Sequence, residues 1–241
     1  MSWVANSVIV RRLVAAALLA SASAAAADIL VVRSLGPSAK GFPPGKRLAE
    51  SARITLKPND QLVVLDGRGT RTIRGPGTFT AGVPQGATAS AAPAQRRARI
   101  GAVRSLAGGE LRSPTLWHVD VGKSTNFCLA DPATLTLWRA DPAAPVTLNV
   151  TRAGDGAARR LGWEAGSSTL AWPADLPPRD GAEFRLSWKG AATPTVVRFK
   201  TLPQKPAGLE DMASSLIRNQ CTAQLDLLIE TVRLPEDPPT G

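Results

Sequence analysis

The amino-acid sequence predicts a mainly β protein: a small N-terminal β domain, then an antiparallel β-sandwich, then a C-terminal amphipathic helical cap. Three observations carry that prediction. Short runs of Val, Ile, Thr, Leu and Trp recur along the chain, divided by turns drawn from its 21 glycines and 20 prolines. Several runs alternate with a period of two, as where Phe184, Leu186 and Trp188 interleave with Glu183, Arg185 and Ser187, the mark of a strand with one dry and one wet face. Only beyond Pro203 and Pro206 does the apolar spacing change to three and four, in Leu209, Met212, Ala213, Leu216 and Ile217, as a helix requires.

Taken in order, residues 1–27 have the layout of a secretory signal peptide. Arg11-Arg12 precedes the apolar run Leu13 to Ala20, and a small-residue tract ends at Ala25-Ala26-Ala27, a cleavage site before Asp28. The run is too short to cross a bilayer, which takes about 20 apolar residues. A periplasmic or secreted address is therefore expected, with no spanning helix after cleavage; retention as an uncleaved anchor is the competing reading. Ile29 to Ser34 then reads as a strand, and Gly36 to Gly45 as a Gly/Pro loop that no helix could traverse. Arg53 to Leu56 is a second strand. Leu62 to Leu65, an Asp66-Gly67 turn and Thr70 to Ile73 form a β-hairpin closed by Gly75-Pro76-Gly77. Together these make a β domain over residues 28–80.

The residues Ile54-Thr55-Leu56, the Asn59-Asp60 turn, Val63 to Gly67 and Thr72 to Gly75 resemble the β repeat of FecR-type periplasmic domains. That resemblance implies a β scaffold and an envelope address. The family's relay through a transmembrane helix is not expected to carry over, because the sequence offers no such helix.

Residues 81–94 are small, Pro-containing and uncharged, and read as a flexible linker. Residues 95–202 are expected to form the sandwich. They open on the densest basic cluster, Arg96, Arg97, Arg99 and Arg104, which either contacts an anionic surface or leaves its arginines solvated while Ile100 and Val103 dock. Strand signals follow at Thr115–Val121, Asn126–Leu129, Leu135–Arg139, Val146–Thr151, Arg160–Trp163, Thr169–Trp172, Glu183–Trp188 and Thr195–Lys200. Leu170-Ala171-Trp172-Pro173 followed by Phe184-Arg185-Leu186 is similar to the second and third strands of fibronectin type III domains, which implies an immunoglobulin-like sandwich. Residues 203–233 form the helical segment. A phase slip at Asn219-Gln220 predicts one kinked helix or two short ones, and residues 234–241 are expected to be a disordered tail.

Function is constrained mostly by exclusion. The formal charge of +10 favours anionic or protein partners in the envelope, and export argues against nucleic acid. The two cysteines, Cys128 and Cys221, are expected to pair in an oxidising compartment, closing a loop worth roughly 4 to 5 kcal/mol; two buried free thiols are the alternative. No cofactor motif or metal-ligand spacing occurs, and Gly122-Lys123-Ser124-Thr125 lacks the upstream glycine of a phosphate loop. His118 is the single histidine, and with Asp120 on the same strand face and Ser124 nearby it is the one seed of an acid/base relay; an exposed or edge histidine is the plainer reading. Four tryptophans, Trp138, Trp163, Trp172 and Trp188, belong either to the core or to a ligand platform. Trp163, flanked by Gly162, Glu164 and Gly166, is the candidate ligand contact beside His118. No residue is assigned as catalytic. The expectation is a non-enzymatic binding or signalling accessory of the bacterial envelope, with an envelope hydrolase acting on glycan or peptide, or a structural subunit, as the alternatives.

Overall fold

A computed structural model of the chain describes residues 28–83 and 112–234. The expected signal segment 1–27, most of the expected linker 81–94, Arg96, Arg97, Arg99 and Arg104, and the expected tail beyond Leu234 lie outside the described residues. The chain is mainly β with two C-terminal helices, as the residue pattern predicts.

The N-terminal part contains β1 (Ile29–Leu35), β2 (Arg47–Leu48), β3 (Arg53–Leu56), β4 (Gln61–Asp66), β5 (Gly69–Arg74) and β6 (Gly77–Thr80). Its main sheet runs β2-β1-β4-β5, all antiparallel, and β3 pairs with β6 in a second, two-stranded sheet. Asp66 pairs with Gly69, so the hairpin turn is Gly67-Arg68, one residue later than Asp66-Gly67. Asp66 instead ends β4, where its carboxylate accepts the Arg68 N–H at 2.9 Å and the Arg71 Nη1–H at 2.7 Å.

β1 and β4 are buried on both faces, and the pleat sorts their side chains into two cores. Ile29, Val31, Leu62 and Val64 face a small core with Ile54, Leu56 and Ile73. Leu30, Val32, Val63 and Leu65 face the other way, into a core completed by the helices.

The sandwich comprises β7 (His118–Asp120), β8 (Thr125–Leu129), β9 (Thr136–Trp138), β10 (Val146–Arg152), β11 (Ala158–Trp163), β12 (Thr169–Ala171), β13 (Glu183–Ser187) and β14 (Thr195–Thr201). A five-stranded sheet in the order β11-β10-β13-β14-β8 faces a three-stranded sheet β12-β9-β7. Pairing is antiparallel except at two sheet edges, where β8 runs parallel to β14 and β7 parallel to β9. Between the sheets Phe127, Trp172, Phe184 and Phe199 meet edge to face, with ring centroids 5.0 to 5.9 Å apart, the arrangement favoured by aromatic quadrupoles.

The two helices, α1 (Leu209–Arg218) and α2 (Thr222–Thr231), are separated where Gln220 takes a φ of +56°, at the predicted phase slip. They cap the sandwich and also cover the N-terminal sheet. Met212, Leu216, Leu225 and Leu228 pack with Leu30 and Val63 on one side and with Cys128 and Leu202 on the other. Cys128 of β8 and Cys221 before α2 form a disulfide, Cα atoms 5.9 Å apart.

After α2 the chain runs along the outer edge of β5. Thr70 N–H donates to Val232 O, Leu234 N–H donates to Thr70 O, and the Thr70 hydroxyl donates to Ile229 O. The close approach explains Gly69: at its φ of +146° any Cβ would collide with the Val232 carbonyl.

Candidate functional site: a cleft at the junction

The three parts of the fold meet at a cleft of about 300 Å³. The N-terminal sheet contributes Arg33, at the end of β1 where the strand leaves the core. The sandwich contributes His118 and Asp120 from β7 with Lys123 and Thr125 from the following turn and strand. Helix α2 supplies Gln224, Asp226 and Glu230.

Gln224 is the structural key of the floor. It sits on the apolar stripe of α2 and is 4% exposed, a position that demands partners for its amide. Nε2–H donates to Leu116 O at 2.9 Å and to Cys128 O at 3.0 Å, while Oε1 accepts the Cys128 N–H at 2.6 Å. Helix, sandwich edge and the segment leading into β7 are thereby pinned at one point, next to the disulfide.

The walls carry charges of both signs, largely paired. Arg33 forms an ion pair with Asp226, joining the first strand to the last helix. Lys123 stands 4.0 Å from Asp120, and Glu230 pairs with Arg233 at 2.6 Å. Arg112 is an exposed guanidinium on the rim. Burial pushes the His118 imidazole below its ordinary pKa, so it is neutral at neutral pH.

The inferred alternation holds over His118 to Asp120, where Val119 is fully buried and His118 and Asp120 both line the cleft, but not at Trp117, which precedes β7 and packs against the helix-side core instead of beside Val119. The hydrogen bonds of the would-be relay run elsewhere, however. His118 Nδ1 is bonded to the Thr115 hydroxyl at 2.5 Å, and Ser124 Oγ accepts the Val196 N–H at 2.9 Å, outside the cleft lining. Asp120 accepts the Gly122 N–H at 2.9 Å. Among the described residues no group of His, Cys, Asp and Glu is placed to hold a metal ion.

Trp163, the other candidate contact, is not offered to a ligand as the sequence suggested: it ends β11, is 2% exposed and packs in the sandwich core with Trp172 and Phe184. It lines a second cavity of about 280 Å³ with Trp188, Val146 and Leu148, and this cavity shares Asp120 with the junction cleft. Trp138 and Trp172 are buried in or beside the sandwich core, at 6% and 7% exposure. Arg139 lies over the Trp163 ring, its Cζ 4.9 Å from the ring centroid. Its three guanidinium nitrogens donate to the carbonyls of Ser167, Ala144 and Glu164.

The residues that sequence reasoning passed over are Arg33, Gln224, Asp226 and Arg139. Gln224 was detectable in principle, as a polar side chain on the apolar face shared by Cys221, Leu225 and Leu228. Arg33 and Asp226 carry no such signal, since only the tertiary fold joins residues so far apart. Comparison with protein-family models, with curated proteins and with solved structures finds no match.

Proposed function

We propose that the protein is an exported, non-enzymatic binding accessory of the bacterial cell envelope, and that the junction cleft holds a short segment of a protein partner. The observation that carries this reading is the cleft's position. A ligand seated there touches the first strand, the sandwich and the last helix at once, so its binding is coupled to how the parts sit together, which suits a signalling accessory. The chemistry favours a peptide over a densely anionic ligand, because donors and acceptors alternate around the walls and the cations Arg33 and Lys123 face carboxylate partners. The export address is supported by residues 1–27 and by the disulfide, which is at home in an oxidising compartment. Among the described residues no helix is long and apolar enough to cross a membrane. The enzyme alternative lacks its assembled relay, since His118 and Ser124 are engaged separately.

The test is a photo-crosslinking residue placed at Arg112 in the full chain, with the exposed Arg160 of β11 as the control position. The expected result is recovery from the periplasmic fraction with a discrete protein adduct from position 112 and none from 160. Cytoplasmic recovery, equal adducts from both positions or none from either would overturn the proposal.

A further inference from the structure

The five-stranded sheet turns one face to the sandwich core and the other outward. Alternation places Arg160 of β11, Arg185 of β13, and Arg198 and Lys200 of β14 on the outward side. The register lays them in a diagonal band. Arg160 is opposite Asn149, which is opposite Ser187; Arg185 stands two residues back along β13, opposite Val196, and Arg198 follows two residues further along β14. Arg185 and Arg198 are therefore diagonal neighbours, and like charges so placed repel. Glu183 is the one carboxylate in these five strands, and Arg198 Nε–H donates to it at 2.8 Å. Arg160, Arg185 and Lys200 have no hydrogen-bond or ion-pair partner for their side chains among the described residues. The strands of the opposite sheet, β7, β9 and β12, contain no lysine or arginine, so the strand charge lies on one side of the sandwich.

We propose that this outward face docks the protein on an anionic bilayer surface, its cations against the headgroup phosphates. Guanidinium forks suit phosphate oxygens, and an outside anion supplies the counter-charge that the band lacks. Between the cations the outward side chains are short and polar, with Thr147, Asn149, Thr151 and Ser187, so no bulky group holds a surface away. A protein partner is disfavoured, because protein interfaces centre on aromatic or large aliphatic anchors and the largest apolar side chain of the band is the half-buried Val196. The same lack makes the attachment electrostatic and sensitive to salt, without insertion into the acyl region. None of the four cations lines the junction cleft, so docking leaves the cleft open, and the inference stands whether or not a protein segment binds there. A lipid surface also leaves position 160 without a protein adduct.

The test is flotation of the full exported chain with vesicles of phosphatidylcholine alone and of phosphatidylcholine mixed with phosphatidylglycerol, at low and at high salt. Binding is expected to the mixed vesicles only, and it should vanish at high salt. Each cation beside an anionic surface strengthens attachment about fivefold, so Arg185→Gln combined with Lys200→Gln should weaken it about 25-fold. Arg185→Lys keeps the charge and should bind nearly as the wild type does. Arg53→Gln combined with Lys57→Gln removes the same charge from exposed positions at and beside β3 and should leave binding unchanged. Arg160→Gln, at an exposed position on the sheet edge, should cost about fivefold and serves if the first pair fails to fold.

No binding to the mixed vesicles, equal binding to neutral ones, binding that survives high salt, or a loss from the band substitutions no greater than from the β3 pair would overturn the proposal. A discrete protein adduct from a photo-crosslinking residue at Arg185 would assign the face to an acidic protein instead and overturn it as well.

Discussion

Asp66 illustrates how a single residue holds the hairpin in place. Burial pushes its carboxyl pKa up, but hydrogen bonds from the Arg68 side chain and N–H, together with the charges of Arg68 and Arg71, push it further down, so the net shift is downward. Arg71 is itself buried, and its Nε and Nη2 lack partners, so the Asp66 carboxylate is the group that makes its burial tolerable. Asp66→Asn should therefore cost about 3 kcal/mol by leaving a buried guanidinium without its counter-charge. Because the folded pKa lies below the unfolded value of about 3.9, this stabilisation is complete above that pH and is lost as the pH falls through the folded value. Urea unfolding at pH 7 and again below pH 3 should show the gap between wild type and Asp66→Asn narrowing in acid; a constant gap would contradict the assignment. At this scale the sequence was partly legible. The shared face of His118 and Asp120 follows from strand periodicity, whereas the partners each residue takes, Thr115 for His118 and Val196 for Ser124, depend on loops whose path no periodicity records.

At the scale of elements, runs with a strong period transfer almost unchanged from sequence to structure. Arg53–Leu56 matches its expected bounds, and the break between α1 and α2 falls at Asn219-Gln220. The Thr115–Val121 run shortens to β7 because Ser113, Thr115 and Trp117 are drawn into local side-chain hydrogen bonds that compete with the ladder. The short strands β2 and β6 escaped notice, since two to four residues carry too little pattern. Pairing was legible at the hairpin of β4 with β5 and not at the sheet edges of the sandwich: the parallel contacts of β7 with β9 and of β8 with β14 join segments that nothing local associates. The disulfide belongs to this scale too, since it fastens α2 to β8 across a separation of 93 residues. Replacing both cysteines by serine should cost about 4 to 5 kcal/mol on loop entropy alone, read as a lower urea midpoint; an unchanged midpoint would show that Gln224 and its three hydrogen bonds suffice.

Across the whole molecule the decisive feature is the core shared by three parts. From the sequence, the helices were expected to cap the sandwich; that they also close the N-terminal sheet could not be read, because the outward faces of β1 and β4 are apolar without saying what covers them. Leu30, Val32, Val63 and Leu65 are buried against residues that follow Pro206. The N-terminal sheet and the sandwich should consequently unfold together, giving a single thermal transition that coincides by far-ultraviolet dichroism and tryptophan fluorescence; two separated transitions would show that the helices do not couple them. The ion pair of Arg33 with Asp226 and the run of Val232 to Leu234 along β5 tie the same distant ends together. For the chain in time rather than in space, this arrangement sets an order of assembly. Strand β1 keeps one apolar face open until α1 and α2 have emerged, so the nascent protein passes through a long interval in which that face must be shielded by a chaperone or kept extended, and β1 becomes native only when the two helices arrive.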